Sequence, residues 1–190
     1  MRLSSANTAP LRQDEKWATC PRTPGGFRRP SSSRATTVVG LVADTHGLLR
    51  PELLEAFAGV DLIVHAGDVG KEAVLEGLKA LAPTVAVRGN VDRGAWAEEL
   101  PKSDVIDVAG VGIYIQHGHE GLDLDAVATC RVVVSGHSHR LSIKERGGVL
   151  YLNPGSAGPR RFKLPVTAMR LAVRGGAVSA ERVDLQAGKP

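Results

Sequence analysis

At 190 residues with 43% apolar content, the chain is long enough for one domain with its own core, while its apolar runs are only strand-length and too short to span a bilayer. The pI near 9.3 invites a nucleic-acid reading. However, seven of the 24 Lys and Arg but only two of the 20 acids precede residue 36, leaving a body of 17 basic and 18 acidic residues that carries no strong nucleic-acid signal.

Residues 1–36 are rich in Ser, Thr, Pro and Arg without apolar periodicity, and are expected to be a disordered basic tail. They lack the apolar core of a secretory signal. An Arg- and Ser-rich, acid-poor start has the composition of a transit peptide, but Pro10, Pro21, Pro24 and Pro30 interrupt any amphipathic helix. A natural start near Val38 is the other reading. Cys20 lies in this tail and Cys130 in the body, which is no disulfide framework and fits a reducing compartment, the cytoplasm.

The body spans residues 37–185, followed by a flexible C-terminus over residues 186–190. Its first apolar run, residues 37–43, reads as a buried strand that releases Asp44-Thr45-His46-Gly47. Residues 51–58, with Leu53, Leu54 and Phe57 at helical spacing and Pro51 in the first turn, predict a helix. A second strand, residues 62–66, delivers Gly67-Asp68, and a second helix over residues 71–81 stops before Pro83. A third strand, residues 85–87, delivers Gly89-Asn90-Val91-Asp92. This β-α-β-α-β order with short loops implies parallel neighbours.

From Val105 the pattern changes. Residues 105–108 and 111–115 read as a hairpin through Gly110 and lead to Gln116-His117-Gly118-His119. A short helix over residues 122–128 precedes a buried strand, residues 132–135, which delivers Gly136-His137-Ser138-His139. Residues 142–144 pair with 149–152 across Gly147-Gly148, and residues 166–173 with 177–183 across Gly175-Gly176. Two mixed sheets packed face to face, with helices outside, use all these elements.

Asp44, His46, Asp68, Asn90, His117, His137 and His139 thus end apolar runs. Their carboxylate, carboxamide and imidazole donors, with no thiolate, suit Mn²⁺, Fe²⁺, Co²⁺, Ni²⁺ or Zn²⁺. Seven ligands exceed one ion and suit two divalent ions sharing a carboxylate. Two carboxylates against two such ions leave a charge near +2, which attracts a phosphate. A lone His at a strand end is more often structural, and Gly-Asp or Gly-Asn alone is ordinary turn chemistry. Here all six histidines of the chain fall within these strings, which favours metal binding. His65, inside a strand, and Asp92 are expected to support the ligands from behind. His119 faces substrate or solvent. Arg160 and Arg161 bind a phosphate or form a solvated pair, and Asn153 to Ser156 form a structural turn.

The ordered set Asp-x-His, Gly-Asp, Gly-Asn-x-Asp, His-Gly-His and Gly-His-Ser-His, followed by Asn153-Pro154-Gly155-Ser156, resembles the calcineurin-like metallophosphoesterase superfamily, and within it the small YfcE-type prokaryotic phosphodiesterases. The resemblance implies an α/β fold, a four-layer α/β/β/α sandwich of two mixed sheets flanked by helices. It implies that Asp44, His46 and His139 hold one metal, that Asp68 bridges, and that Asn90, His117 and His137 hold the other, with Mn²⁺ placed first. A metal-bridging hydroxide would attack phosphorus in line, with Asp68, Asn90 and His117 as the catalytic positions and Asn90, His119 and Arg160 touching substrate.

Many phosphatases of the superfamily place a His, a proton donor to the leaving group, where this chain has Val91; the YfcE-like branch also lacks it. The implied substrate is a small phosphodiester, with a phosphomonoester or nuclease activity as relatives of that reading. The retromer subunit resembles the same fold and is an assembly scaffold, but its second and third motifs read Gly-Asn and Gly-Asp, whereas this chain has Asp68 and Asn90. The oligomeric state is open, a homodimer included.

Overall fold

The computed structural model describes residues 36–118, 121–161 and 163–185, so the expectations for the tail, for residues 186–190 and for His119 lie outside the described residues. Among the described residues ten strands and four helices follow one another as β1 (Thr37–Val42), α1 (Pro51–Ala56), β2 (Leu62–His65), α2 (Glu72–Leu81), β3 (Thr84–Ala86), α3 (Ala95–Glu98), β4 (Ser103–Val108), β5 (Val111–Gln116), α4 (Leu124–Ala128), β6 (Val132–Val134), β7 (Ser142–Arg146), β8 (Val149–Asn153), β9 (Thr167–Arg174) and β10 (Ala177–Asp184).

They form two five-stranded sheets, in the orders β10-β9-β1-β2-β3 and β4-β5-β6-β8-β7. Strands β1, β2 and β3 are parallel, as the short β-α-β connections require, and β5, β6 and β8 are parallel in the second sheet. The four hairpin and edge pairings, β1 with β9, β9 with β10, β4 with β5 and β7 with β8, are antiparallel, so both sheets are mixed.

Side chains alternate across each strand, and this places three apolar layers between four structural ones. Val39 and Leu41 of β1, Val64 of β2, Ile113 and Ile115 of β5, Val132 and Val134 of β6 and Leu171 of β9 meet between the sheets. Their neighbours Val42 and Ile63 point the other way, onto Leu53 and Phe57 of α1 and its C-cap and Val74, Leu75 and Leu78 of α2. Tyr114 and Val133 face Val127 of α4 on the far side of the second sheet. Burying a side chain such as Ile113 or Leu171 contributes roughly 1.5–3 kcal/mol. The four-layer α/β/β/α arrangement is therefore present.

Element ends differ in small ways from the sequence pattern. Helix α4 begins at Leu124 rather than residue 122, because the Asp123 carboxylate caps it by accepting from the Asp125 and Ala126 amides. The turn after β4 places Ala109 and Gly110 at φ 52° and 85°, the left-handed pair that fits a tight hairpin. Helix α3 is a single turn that periodicity alone does not reveal. Among the described residues no helix is long and apolar enough to cross a membrane.

Candidate metal centre

Because β1, β2 and β3 run in one direction, the loops after them emerge at one edge of the first sheet; the loops after β5 and β6 emerge together from the second. Backbone bonds knit them. Asp44 N–H donates to the Gly67 carbonyl at 3.0 Å, His46 N–H to Asp68 at 3.0 Å, and Gly136 N–H to His117 at 2.9 Å. Among the described non-glycine residues only Asp44, His46, Asp68, His137, His139 and Ala109 have positive φ. Five of those six are the expected ligands. A left-handed Asp or His costs of order 1–3 kcal/mol and persists only where its surroundings over-determine it. The loops also approach very closely: a Cβ on Gly89 would stand 2.0 Å from Asp68 N and 2.3 Å from its Oδ1.

The side chains converge. Asp44 with His46 and His139, and Asp44 with Asp68 and His117, each offer ligand atoms within 4.8 Å of one another. Asp44 Oδ1 lies 3.3 Å from His139 Nε2 and 4.0 Å from His46 Nε2. Asp68 turns Oδ1 to His117 Nε2 at 3.3 Å and Oδ2 to His46 Nε2 at 3.9 Å. His46 and His139 face each other, Nε2 to Nε2, at 3.3 Å.

The donor atoms fit a cation. Asp44 accepts the His137 amide on Oδ2 at 3.0 Å, while its buried Oδ1 forms no hydrogen bond. His117 Nδ1 lies 2.8 Å from the Ala66 carbonyl and donates to it, which aims Nε2 inward, where it too is buried without a well-formed hydrogen bond. Inward oxygen and nitrogen lone pairs left uncompensated in a dry site are costly, and a divalent ion satisfies them.

Electrostatics point the same way. Burial pushes the Asp44 carboxyl up to about 7, with Asp68 adding to the rise and His117 opposing it. Burial also works against Asp68 and His117, but their mutual contact overrides it, holding Asp68 well below the usual carboxylate range and raising His117. His46 and His139 are lowered by burial first, with Arg161 adding to both and His46 to His139. Neutral imidazole is the metal-binding form.

Two expected supports take definite roles. His65 is fully buried and its Nε2 lies 2.9 Å from Thr45 Oγ1, which itself donates to the Val69 carbonyl at 3.0 Å. His65 therefore donates, fixing the loop between Asp44 and His46, and burial lowers it to about 4. Asp92 clamps two loops by accepting the Gly70 amide on Oδ1 and the Gly89 amide on Oδ2, both at 2.7 Å. Asn153 and Ser156 are structural too, tying the Gly136 carbonyl at 2.7 Å and the Asp44 carbonyl at 2.9 Å.

Residues 38–176 match the calcineurin-like phosphoesterase superfamily domain, well over half of the chain. The chain belongs to this superfamily. A probable metallophosphoesterase of Methanocaldococcus jannaschii is 32% identical over 171 residues, covering 78% of this chain and 86% of that one. A phosphodiesterase of the same organism is 27% identical over 137 residues, covering 62% and 82%. Among solved structures, vacuolar protein sorting 29 of Cryptosporidium parvum superposes with a TM-score of 0.70 at 24% identity, covering 81% and 94%. YfcE, a phosphoesterase from E. coli, gives 0.59 at 22%, covering 79% and 100%. These two structures share the fold.

Within this metallophosphoesterase the remaining expected residues lie at the rim. Asn90 and His137 are exposed, with Asn90 Nδ2 3.4 Å from His137 Nδ1, and the His137 ring stands edge-on to His117 at 5.2 Å. Val91 is 41% exposed beside them, its amide donating to Asp68 Oδ1 at 3.0 Å. Arg160 is exposed; of the arginine pair, Arg161 is the one whose charge acts on Asp44, His46 and His139. The motifs left out Arg88, Arg93 and Lys102, which line a cleft of about 1020 Å³ shared with Asn90, His117 and His137. No local sequence signal marks them, since they come from three separate loop and edge positions.

Proposed function

We propose that this metallophosphoesterase is a dinuclear, metal-dependent phosphodiesterase. Superfamily membership supports phosphate-ester hydrolysis in general. The finer reading is carried by one observation: the two oxygens of Asp68 are turned toward different imidazoles, His117 at 3.3 Å and His46 at 3.9 Å. A carboxylate so turned suits a shared ligand. In this reading Asp44, His46 and His139 would hold one ion, Asn90, His117 and His137 the other, and Asp68 would serve both.

Bound ions would supply Lewis-acid stabilisation and an acidified nucleophilic water. The chain does the rest. The Ala66 carbonyl keeps His117 in its metal-binding orientation, and Asp92 and His65 hold the loops that carry the ligands. Arg161 presents a cation on the His46 and His139 side, where it attracts a non-bridging phosphoryl oxygen. Val91 can donate no proton from its side chain, which favours esters with good leaving groups over alkyl monoesters. A phosphodiesterase among its relatives agrees with that preference.

The likeness of the fold to vacuolar protein sorting 29 keeps a scaffold as the second reading. Stripped protein reconstituted with Mn²⁺, Co²⁺, Ni²⁺ or Zn²⁺ and assayed on bis(p-nitrophenyl) phosphate separates the two. Metal-dependent turnover is expected. Full metal loading by elemental analysis with no turnover of any ester would leave the scaffold.

A further inference from the structure

Arg50 stands at the N-cap of α1, where Pro51 after it favours the extended backbone it adopts (φ −79°, ψ 138°), yet its side chain caps nothing in that helix. The partly buried guanidinium reaches instead across 107 positions of sequence. Its Nε donates to the Ala157 carbonyl at 3.1 Å and its Nη2 to the Gly158 carbonyl at 3.0 Å. Among the described residues no other donor reaches either carbonyl, and both residues are buried, so without Arg50 two backbone acceptors lose their partner.

The opposite edge of the same segment faces the first ligand loop. Ala157 N–H donates to the Ala43 carbonyl and Gly158 N–H to the Asp44 carbonyl, both at 3.1 Å. A Cβ on Gly158 would stand 2.5 Å from the Asp44 and Thr45 carbonyl oxygens, so the approach leaves no slack. Residues 157 and 158 thus lie between the ligand loop, which takes their N–H groups, and Arg50, which takes their carbonyls. Pro159 follows with its fixed φ, and passes the orientation of the Gly158 peptide on to Arg160 and Arg161. Arg161 is the cation whose charge acts on Asp44, His46 and His139. Removing the Arg50 side chain leaves the N–H bonds to the ligand loop in place and frees the side of the segment that leads to Arg161.

We infer that Arg50 is a positioning residue: by holding the Ala157 and Gly158 carbonyls it sets where Arg161 stands beside His46 and His139, and through Arg161 the affinity for the substrate's phosphoryl group. This rests on the phosphodiesterase reading, in which Arg161 meets a non-bridging oxygen. The guanidinium fork spans two carbonyls, whereas a lysine ammonium at this position is a point donor without that fork.

The test uses metal-reconstituted protein and bis(p-nitrophenyl) phosphate. Arg50→Ala and Arg161→Ala should each raise KM about tenfold with kcat within about twofold, and the double variant should be no worse than Arg161→Ala, because one residue acts through the other. The metal-dependent rise in Tm should persist in Arg50→Ala, and Arg50→Lys should recover part of the KM. An unchanged KM in Arg50→Ala, KM effects that multiply in the double variant, or loss of the metal-dependent Tm rise overturns the inference. If Arg50→Ala does not fold, Arg50→Lys carries the test: its smaller KM rise should vanish on the Arg161→Ala background, and a rise that persists there overturns the role. If no ester is turned over, the phosphodiesterase reading fails by itself. Calorimetric titration of the metal-loaded protein with phenylphosphonate then decides for Arg50. A Kd weakened about tenfold in each single variant and no further in the double supports the inference, and any other pattern, absent binding included, overturns it.

Discussion

The Nε2 atoms of His46 and His139 stand 3.3 Å apart across 93 positions of sequence. Burial lowers both imidazoles, and each is further disfavoured as a cation by Arg161, so a proton is a poor mediator between them. A divalent ion is a good one. Stripped protein should be inactive and recover best with Mn²⁺, Co²⁺ or Ni²⁺. Saturating metal at about 100 times Kd adds about 2.7 kcal/mol, which should raise Tm by about 5–10 °C. His139→Ala should lose much of that rise in differential scanning fluorimetry. Hydrolysis undiminished after exhaustive chelation would overturn the metal mechanism.

Asp68 should be the most sensitive ligand. Its Oδ1 also accepts the Val91 amide at 3.0 Å, so it links three loops as well as two imidazoles. Asp68→Asn should lower turnover by about 10²-fold or more with the fold retained, because even indirect supports of a metal ligand are worth about 10–100-fold. Elemental analysis showing two tightly held ions in this variant would contradict a shared ligand.

Gly89 should not tolerate a side chain. A Cβ there meets Asp68 backbone at 2.0 Å, and backbone cannot rotate away as a flexible side chain could. Gly89→Ala should cost about 1–3 kcal/mol in urea unfolding and displace Asp68, reducing activity out of proportion to stability. Wild-type activity in this variant would show that the loops have slack.

His65 sets a pH dependence. Its pKa falls from 6.5 to about 4 on folding because burial disfavours the charged ring. Between those values the unfolded chain binds the extra proton, so the contribution is full above pH 6.5 and is lost as pH falls toward 4. The loss is on the order of 3 kcal/mol. His65→Gln keeps a donor for Thr45 but not the titration, so the stability gap between wild type and variant should narrow across that window. Denaturant melts at several pH values give the answer, and a constant gap would mean that His65 does not carry the acid limb.

Val91 bears on leaving groups. Its side chain is partly exposed at the rim beside Asn90 and cannot protonate a departing alkoxide. The protein should cleave aryl phosphodiesters far better than alkyl phosphomonoesters, since general acid catalysis typically contributes about 10² to 10⁴-fold where it operates. Val91→His should raise rates selectively for poor leaving groups. Equal native rates on matched aryl and alkyl esters would assign the proton to another group.

The sequence by itself determined the local events. Continuous apolar runs such as Thr37–Val42 and Val111–Gln116 specified buried strands, whereas packing decided that Val39, Leu41, Ile113 and Ile115 take the central face and Val42 and Tyr114 the opposite ones. Apolar runs that end in Asp, Asn or His specified where ligands emerge, because chain direction and period are encoded by neighbouring residues. The β-α-β neighbours and the three hairpins were legible too, and only the tertiary structure decided the pairings between strands that are not neighbours in the chain. The register Leu41 with Met169 joins segments far apart in sequence, and the pairing of β6 with β8 skips β7. Such pairings are settled by competition among apolar faces for burial, which no local pattern records. The same holds for side chains at the site. His65 and Asp92 acquire their partners, and Arg161 rather than Arg160 its influence on the ligands, only when separate loops meet. Arg88, Arg93 and Lys102 come to line one cleft for the same reason: solvent-facing charges carry no periodic signal until the fold sets them around a common space.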